Sequence, residues 1–131
     1  MARASGQFDV KLTPQAADDV TGTSIARMTI EKQFHGELEG SSKGQMLAIS
    51  TAVDGSAGYV AMEKVEGKLH GRQGTFALQH IGTMNRGAQD LRIMVVPDSG
   101  TDQMTGIAGT MSITIDKDGK HFYDFEYTLP G

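Results

Sequence analysis

Glu63, His70, Arg72 and His80 fall on two neighbouring stretches of alternating sequence, Tyr59 to Val65 and Lys68 to Ile81. With Glu66-Gly67 read as a two-residue turn, Val65 pairs with Lys68, Glu63 with His70, Ala61 with Arg72 and Tyr59 with Gly74. Side chains alternate between the two faces of a strand. Tyr59, Glu63, His70, Arg72, Phe76, Leu78 and His80 are therefore predicted to share one face. A face that mixes aromatic, aliphatic and titratable groups suits the lining of an apolar cavity with a polar anchor. It equally suits a partly wet subunit interface, or an outer face with scattered apolar residues.

In the cavity reading, Tyr59, Glu63, Arg72 and His80 make the polar contacts to a ligand. A carboxylate is costly in apolar surroundings, so the pKa of Glu63 is expected to rise unless Arg72 or a histidine pairs with it. A raised carboxyl, or a neutral imidazole near physiological pH, can shuttle protons. That permits isomerase or cyclase chemistry by Glu63 with His70 or His80 without demanding it.

Other motifs have plainer readings. Gly40-Ser41-Ser42-Lys43-Gly44 matches the G-x-S-x-G nucleophile elbow, but that elbow needs a following helix and a large parallel sheet. Strand-like alternation surrounds it here, so the glycines are read as bends. Asp116-Lys117-Asp118-Gly119 lacks the later oxygen ligands and flanking helices of a calcium loop, and is expected to form a hairpin turn. His35, Glu37 and Glu39 could share a strand face as a borderline metal site, yet a bulge at Gly36 would remove that face. No metal is expected. No G-x-G-x-x-G and no Walker loop occurs, so no cofactor is expected either.

The elements that must position these residues are strands. Glycine makes up 17 of 131 residues, about 13% against an average near 7%, and its even spread leaves no room for a long helix. Only Thr13-Pro14 to Asp19 reads as a short helical connector, with Thr13 as cap and Pro14 at the first helical position. Elsewhere the apolar period is two. Phe8, Val10 and Leu12 mark a first strand, and Met28, Ile30 and Phe34 a second. The others run over Leu38 to Thr51, Tyr59 to Val65, Lys68 to Ile81, Asp90 to Val96, Thr105 to Ile115 and Lys120 to Leu129. Eight sequential strands on short connections predict an all-β fold, an eight-stranded antiparallel closed barrel with at most one short helical turn, spanning residues 1–131 as one domain. Closure removes the exposed edges that an open sheet would have to protect. Gly36, Gly40 and Gly44, at even offsets, are read as barrel curvature or a tight subunit contact.

Composition excludes several classes. There is no cysteine, hence no disulfide framework and no thiol nucleophile. A formal charge of -4 without a basic cluster argues against nucleic acid. The apolar runs Met46 to Ile49 and Ile93 to Val96 are far too short to span a membrane as a helix. A cytoplasmic protein without a membrane partner is expected.

Five blocks carry a family resemblance: Phe34 to Gly40, Gly55 to Glu63, Leu69 to His80, Val95 to Thr101 and His121 to Pro130. Together they resemble the bacterial family called domain of unknown function 3224, from about Gly6 to Pro130. That family in turn resembles the allene oxide cyclase-like class of eight-stranded barrels, whose plant members steer a reactive fatty-acid epoxide into a ring and assemble as oligomers. No catalytic residue of that class maps onto this chain. The resemblance thus implies the barrel and leaves the activity open.

Three functional readings follow. The first is a barrel that binds a small apolar or amphipathic molecule in its lumen. The second is an isomerase or cyclase using Glu63 and a histidine. The third is a ligand-free structural or assembly protein packed against copies of itself. The expected partners are accordingly a small apolar ligand and a homo-oligomeric neighbour.

Overall fold

Alternation of apolar and polar residues commits each stretch to burying one face, and eight such stretches in sequence bury them around a common axis. The computed structural model describes residues 1–15 and 25–130. Its strands are β1 (Ala2–Pro14), β2 (Ala26–Phe34), β3 (Leu38–Ser50), β4 (Ala57–Leu69), β5 (Arg72–Asn85), β6 (Ala88–Val95), β7 (Ala108–Ile115) and β8 (His121–Thr128). Each pairs antiparallel with the next, and β8 returns to β1 through Ala4↔Phe125 and its neighbours, so the eight-stranded barrel is closed. Among the described residues the only helical element is a 3-10 turn, Asp102–Met104. No helix among them is long and apolar enough to cross a membrane.

Three local expectations are corrected. Thr13 and Pro14 do not open a helix. They end β1, paired with Thr29 and Met28, because a fixed proline φ also suits the end of a strand; the rest of the expected connector lies outside the described residues. Gly36 lies in the turn between β2 and β3 at φ +102, so it shares no strand face with Gly40 and Gly44. The reversal between β4 and β5 is His70-Gly71, not Glu66-Gly67. His70 and Gly71 have φ of 49 and 79, the double positive φ of a tight hairpin. Gly67 instead stands between Gly40 and Gly74 on the neighbouring strands, where a Cβ at 67 would lie 2.6 Å from the Gly40 Cα.

The two ends of the barrel differ. At one end Phe34, Leu38, Leu69, Phe76, Tyr123 and Phe125 are fully buried, with Phe76 and Phe125 stacked at 5.6 Å. The connection from β6 to β7 crosses this end. Its Thr101 amide donates to the Thr75 carbonyl, and Met104, wholly buried, plugs the opening beside Gly74. At the other end the interior is hollow. There β6 and β7, which meet only at Ile93↔Met111 and Met94↔Thr110, part beside the cavity.

Candidate functional site

Four polar residues occupy the interior at the base of the hollow. Ile30, Lys32 and Phe34 alternate inward on β2, Gly40, Ser42 and Gly44 on β3, Ala61, Glu63 and Val65 on β4, and Leu78, His80 and Gly82 on β5. The ladders bring them together: Ile30 pairs with Gly44, Gly44 with Glu63, and Ala61 with His80. The Glu63 carboxylate is completely buried. It accepts from Lys32 Nζ at 2.9 Å and His80 Nε2 at 2.6 Å on Oε1, and from Ser42 Oγ at 2.5 Å on Oε2. Lys32 also lies over the rings of Phe8 and Phe34, 5.1 and 5.9 Å from their centroids, a cation–π position.

Burial pushes the Glu63 carboxyl up, but the His80 hydrogen bond, the Lys32 charge and the Ser42 hydroxyl together outweigh it and hold the group at about 2. Glu63 is therefore an anion at neutral pH, balanced by Lys32. An anionic carboxylate only accepts hydrogen bonds, so His80 Nε2 carries a proton. In a neutral ring Nδ1 is then the free lone pair. Among the described residues none bonds Nδ1, and no buried side-chain nitrogen or oxygen lacks a partner. His80 also lines the cavity, so Nδ1 is the ring nitrogen left to serve a ligand there.

That cavity has a volume of about 390 Å³. Its walls are mainly apolar, with Phe8, Val10, Ile30, Met46, Ala48 and Ile113 among them, and Lys32 and His80 form its polar base. Tyr59 lines it half-buried, its ring packed across Gly82, where a Cβ would come within 2.3 Å of Tyr59 Cε1. Burial, and then the Glu63 charge, push the Tyr59 phenol up. His121 stands nearer the mouth, 5.3 Å from the Phe8 ring.

The sequence-predicted residues thus divide. Glu63 and His80 are in direct contact, and Tyr59 lines the same cavity. Arg72 does not join them: the His70-Gly71 turn puts it at the start of β5, exposed and at the plugged end of the barrel. His70, expected opposite Glu63, lies in that turn and bonds Glu37 at 2.8 Å and the Tyr127 hydroxyl. Its bond to Glu37 is the main cause holding that exposed carboxyl below its ordinary value. His35 contacts Asp9, and Glu39 receives the Gly36 amide, so His35, Glu37 and Glu39 do not converge. The sequence reading missed Lys32 and Ser42. Lys32 keeps phase with Ile30 and Phe34, which was the available signal. Ser42, at the centre of the G-x-S-x-G match, sits on a continuous strand rather than an elbow.

The family described as protein of unknown function, DUF3224, matches residues 4–127. A solved structure from Shewanella oneidensis MR-1, described as a protein with unknown function from the DUF3224 family, is 51% identical, with a TM-score of 0.91 over 100% of this chain and 98% of that one. No curated protein matches the chain. The chain belongs to the DUF3224 family.

Proposed function

We propose that this protein binds a small apolar or amphipathic molecule in the barrel lumen, consistent with an allene oxide cyclase-like class of barrel. One observation carries the reading: a hollow of about 390 Å³ with apolar walls ends on a charged, hydrogen-bonded base. Its size falls in the range of small-molecule sites, roughly 300–1,000 Å³. A barrel built only for stability would fill this space with side chains, as the opposite end does. Thermal-shift screening against medium-chain lipophilic compounds tests it, since a ligand that binds the folded chain alone raises Tm. Ala48→Phe, placed on the cavity wall, should remove the shift while leaving the fold intact. A panel that never raises Tm in the parent protein counts against the proposal.

The His80–Glu63 pair favours a second reading, proton transfer in an isomerase or cyclase. In this geometry His80 faces the substrate with Nδ1, while Glu63, anionic and sealed behind it, orients the ring. The role first expected of Glu63 passes to His80. His80→Gln should then abolish turnover of any substrate found and retain its binding.

Outside the barrel, Leu47, Val60 and Ile81 pair across β3, β4 and β5 in one exposed apolar row. This is the surface on which a homo-oligomer would assemble. Sedimentation of Val60→Lys against the parent chain checks it.

A further inference from the structure

Resting on the lumen-binding reading, we infer that the base of the cavity selects an uncharged oxygen function on an apolar body, a ketone, aldehyde or alcohol, over the corresponding carboxylate. Among the described residues Lys32 donates to Glu63 alone, and it lines the cavity, which leaves two N–H groups for a ligand to meet there. His80 gives its Nε2–H to the same carboxylate oxygen and presents Nδ1 as an acceptor in the neutral ring. The base therefore offers donors and an acceptor side by side. A carbonyl oxygen satisfies the lysine, and a hydroxyl can accept from Lys32 while donating to His80.

Charge decides against the acid. Glu63 already balances Lys32, and both side chains are almost wholly withdrawn from solvent. With the His80 ring neutral, a ligand carboxylate would add a second buried anion beside Glu63, and among the described residues Lys32 is the one lysine or arginine lining the cavity, already paired with Glu63; an unpaired buried charge is strongly disfavoured. The neutral oxygen function meets no such penalty.

Octan-2-one, octan-1-ol and octanoate, below their aggregation limits at pH 8, serve as probes in isothermal titration. The two neutral compounds are expected to bind at least roughly tenfold more tightly than octanoate, a difference that ordinary affinity arithmetic resolves easily. Octanoate binding as tightly as octan-2-one overturns the inference. Glu63→Gln, which leaves the Lys32 charge unbalanced, should move the preference toward octanoate by roughly the same tenfold factor. An unchanged preference in a folded variant likewise overturns it. If the variant does not fold, the comparison in the parent chain decides alone. Binding by none of the three probes removes the lumen-binding reading itself, and this inference with it.

Discussion

Gly44 lies directly across the β3–β4 ladder from Glu63, and a Cβ at position 44 would stand 2.7 Å from both the Cα and the Cβ of Glu63. The same Cβ would come within 2.2 Å of the Met62 carbonyl oxygen, an atom of the backbone that cannot rotate away. Gly44→Ala should therefore cost about 1–3 kcal/mol by overpacking. Urea denaturation measures the cost, and a stability equal to that of the parent chain would contradict the close approach.

Lys32 and Glu63 form a buried ion pair, so removing one member leaves a charge stranded. Lys32→Met is expected to cost about 3–5 kcal/mol, whereas combining it with Glu63→Gln should recover much of that loss because no uncompensated anion remains. A double-mutant cycle reads the coupling directly. Strictly additive effects would mean the pair does not interact in solution.

Acid should destabilise the fold through the same carboxylate. Glu63 titrates at about 2 in the folded chain against an ordinary value of 4.5. The folded value lies below the unfolded one, so this stabilisation is complete above about pH 4.5 and is lost as pH falls toward 2. The gap corresponds to about 3 kcal/mol. Denaturation midpoints at pH 7, 5 and 3 should fall more steeply for the parent protein than for Glu63→Gln, and parallel curves would contradict the assignment. Glu37 and Asp124 are also lowered, but both are surface groups.

Gly82→Ala should act on binding through Tyr59. The new methyl group meets the Tyr59 ring at 2.3 Å, and a side chain can yield where backbone cannot. Tyr59 and Gly82 both line the cavity, so the added methyl group and the ring it displaces alter the binding volume. Affinity for a lumen ligand is expected to drop by roughly tenfold, about 1.4 kcal/mol, by titration. Retained affinity would place the ligand elsewhere.

Much of the barrel was legible because a half-buried strand writes its inward face into every second residue. Phe8, Val10 and Leu12 predicted β1, and the inward phase of Ile30 and Phe34 predicted β2. The same pattern hid Lys32, since a lysine between two apolar inward positions reads as surface until its partner is known, and Glu63 lies on another strand. The site's pairing depended on the turn. Glu66-Gly67 and His70-Gly71 both carry a glycine, and moving the reversal from one to the other slides the whole register. That slide takes Arg72 and His70 away from Glu63 and brings Ala61 opposite His80. What selects the second turn is tertiary: Gly67 is needed for the close approach to Glu39 and Gly40, and the His70 amide donates to the Glu37 carbonyl. Neither constraint is visible in the local sequence.

The brief junction of β6 and β7 makes the cylinder a stave wall with one loose joint. Opening it sacrifices only the Ile93–Met111 and Met94–Thr110 links, while every other seam stays intact. Thermal breathing will concentrate there, and deuterium uptake should run fastest at the facing amides of residues 89–92 and 112–115. Leu91 and Ile113 flank that joint and also line the hollow, so parting the staves there would open its side without the molecule unfolding.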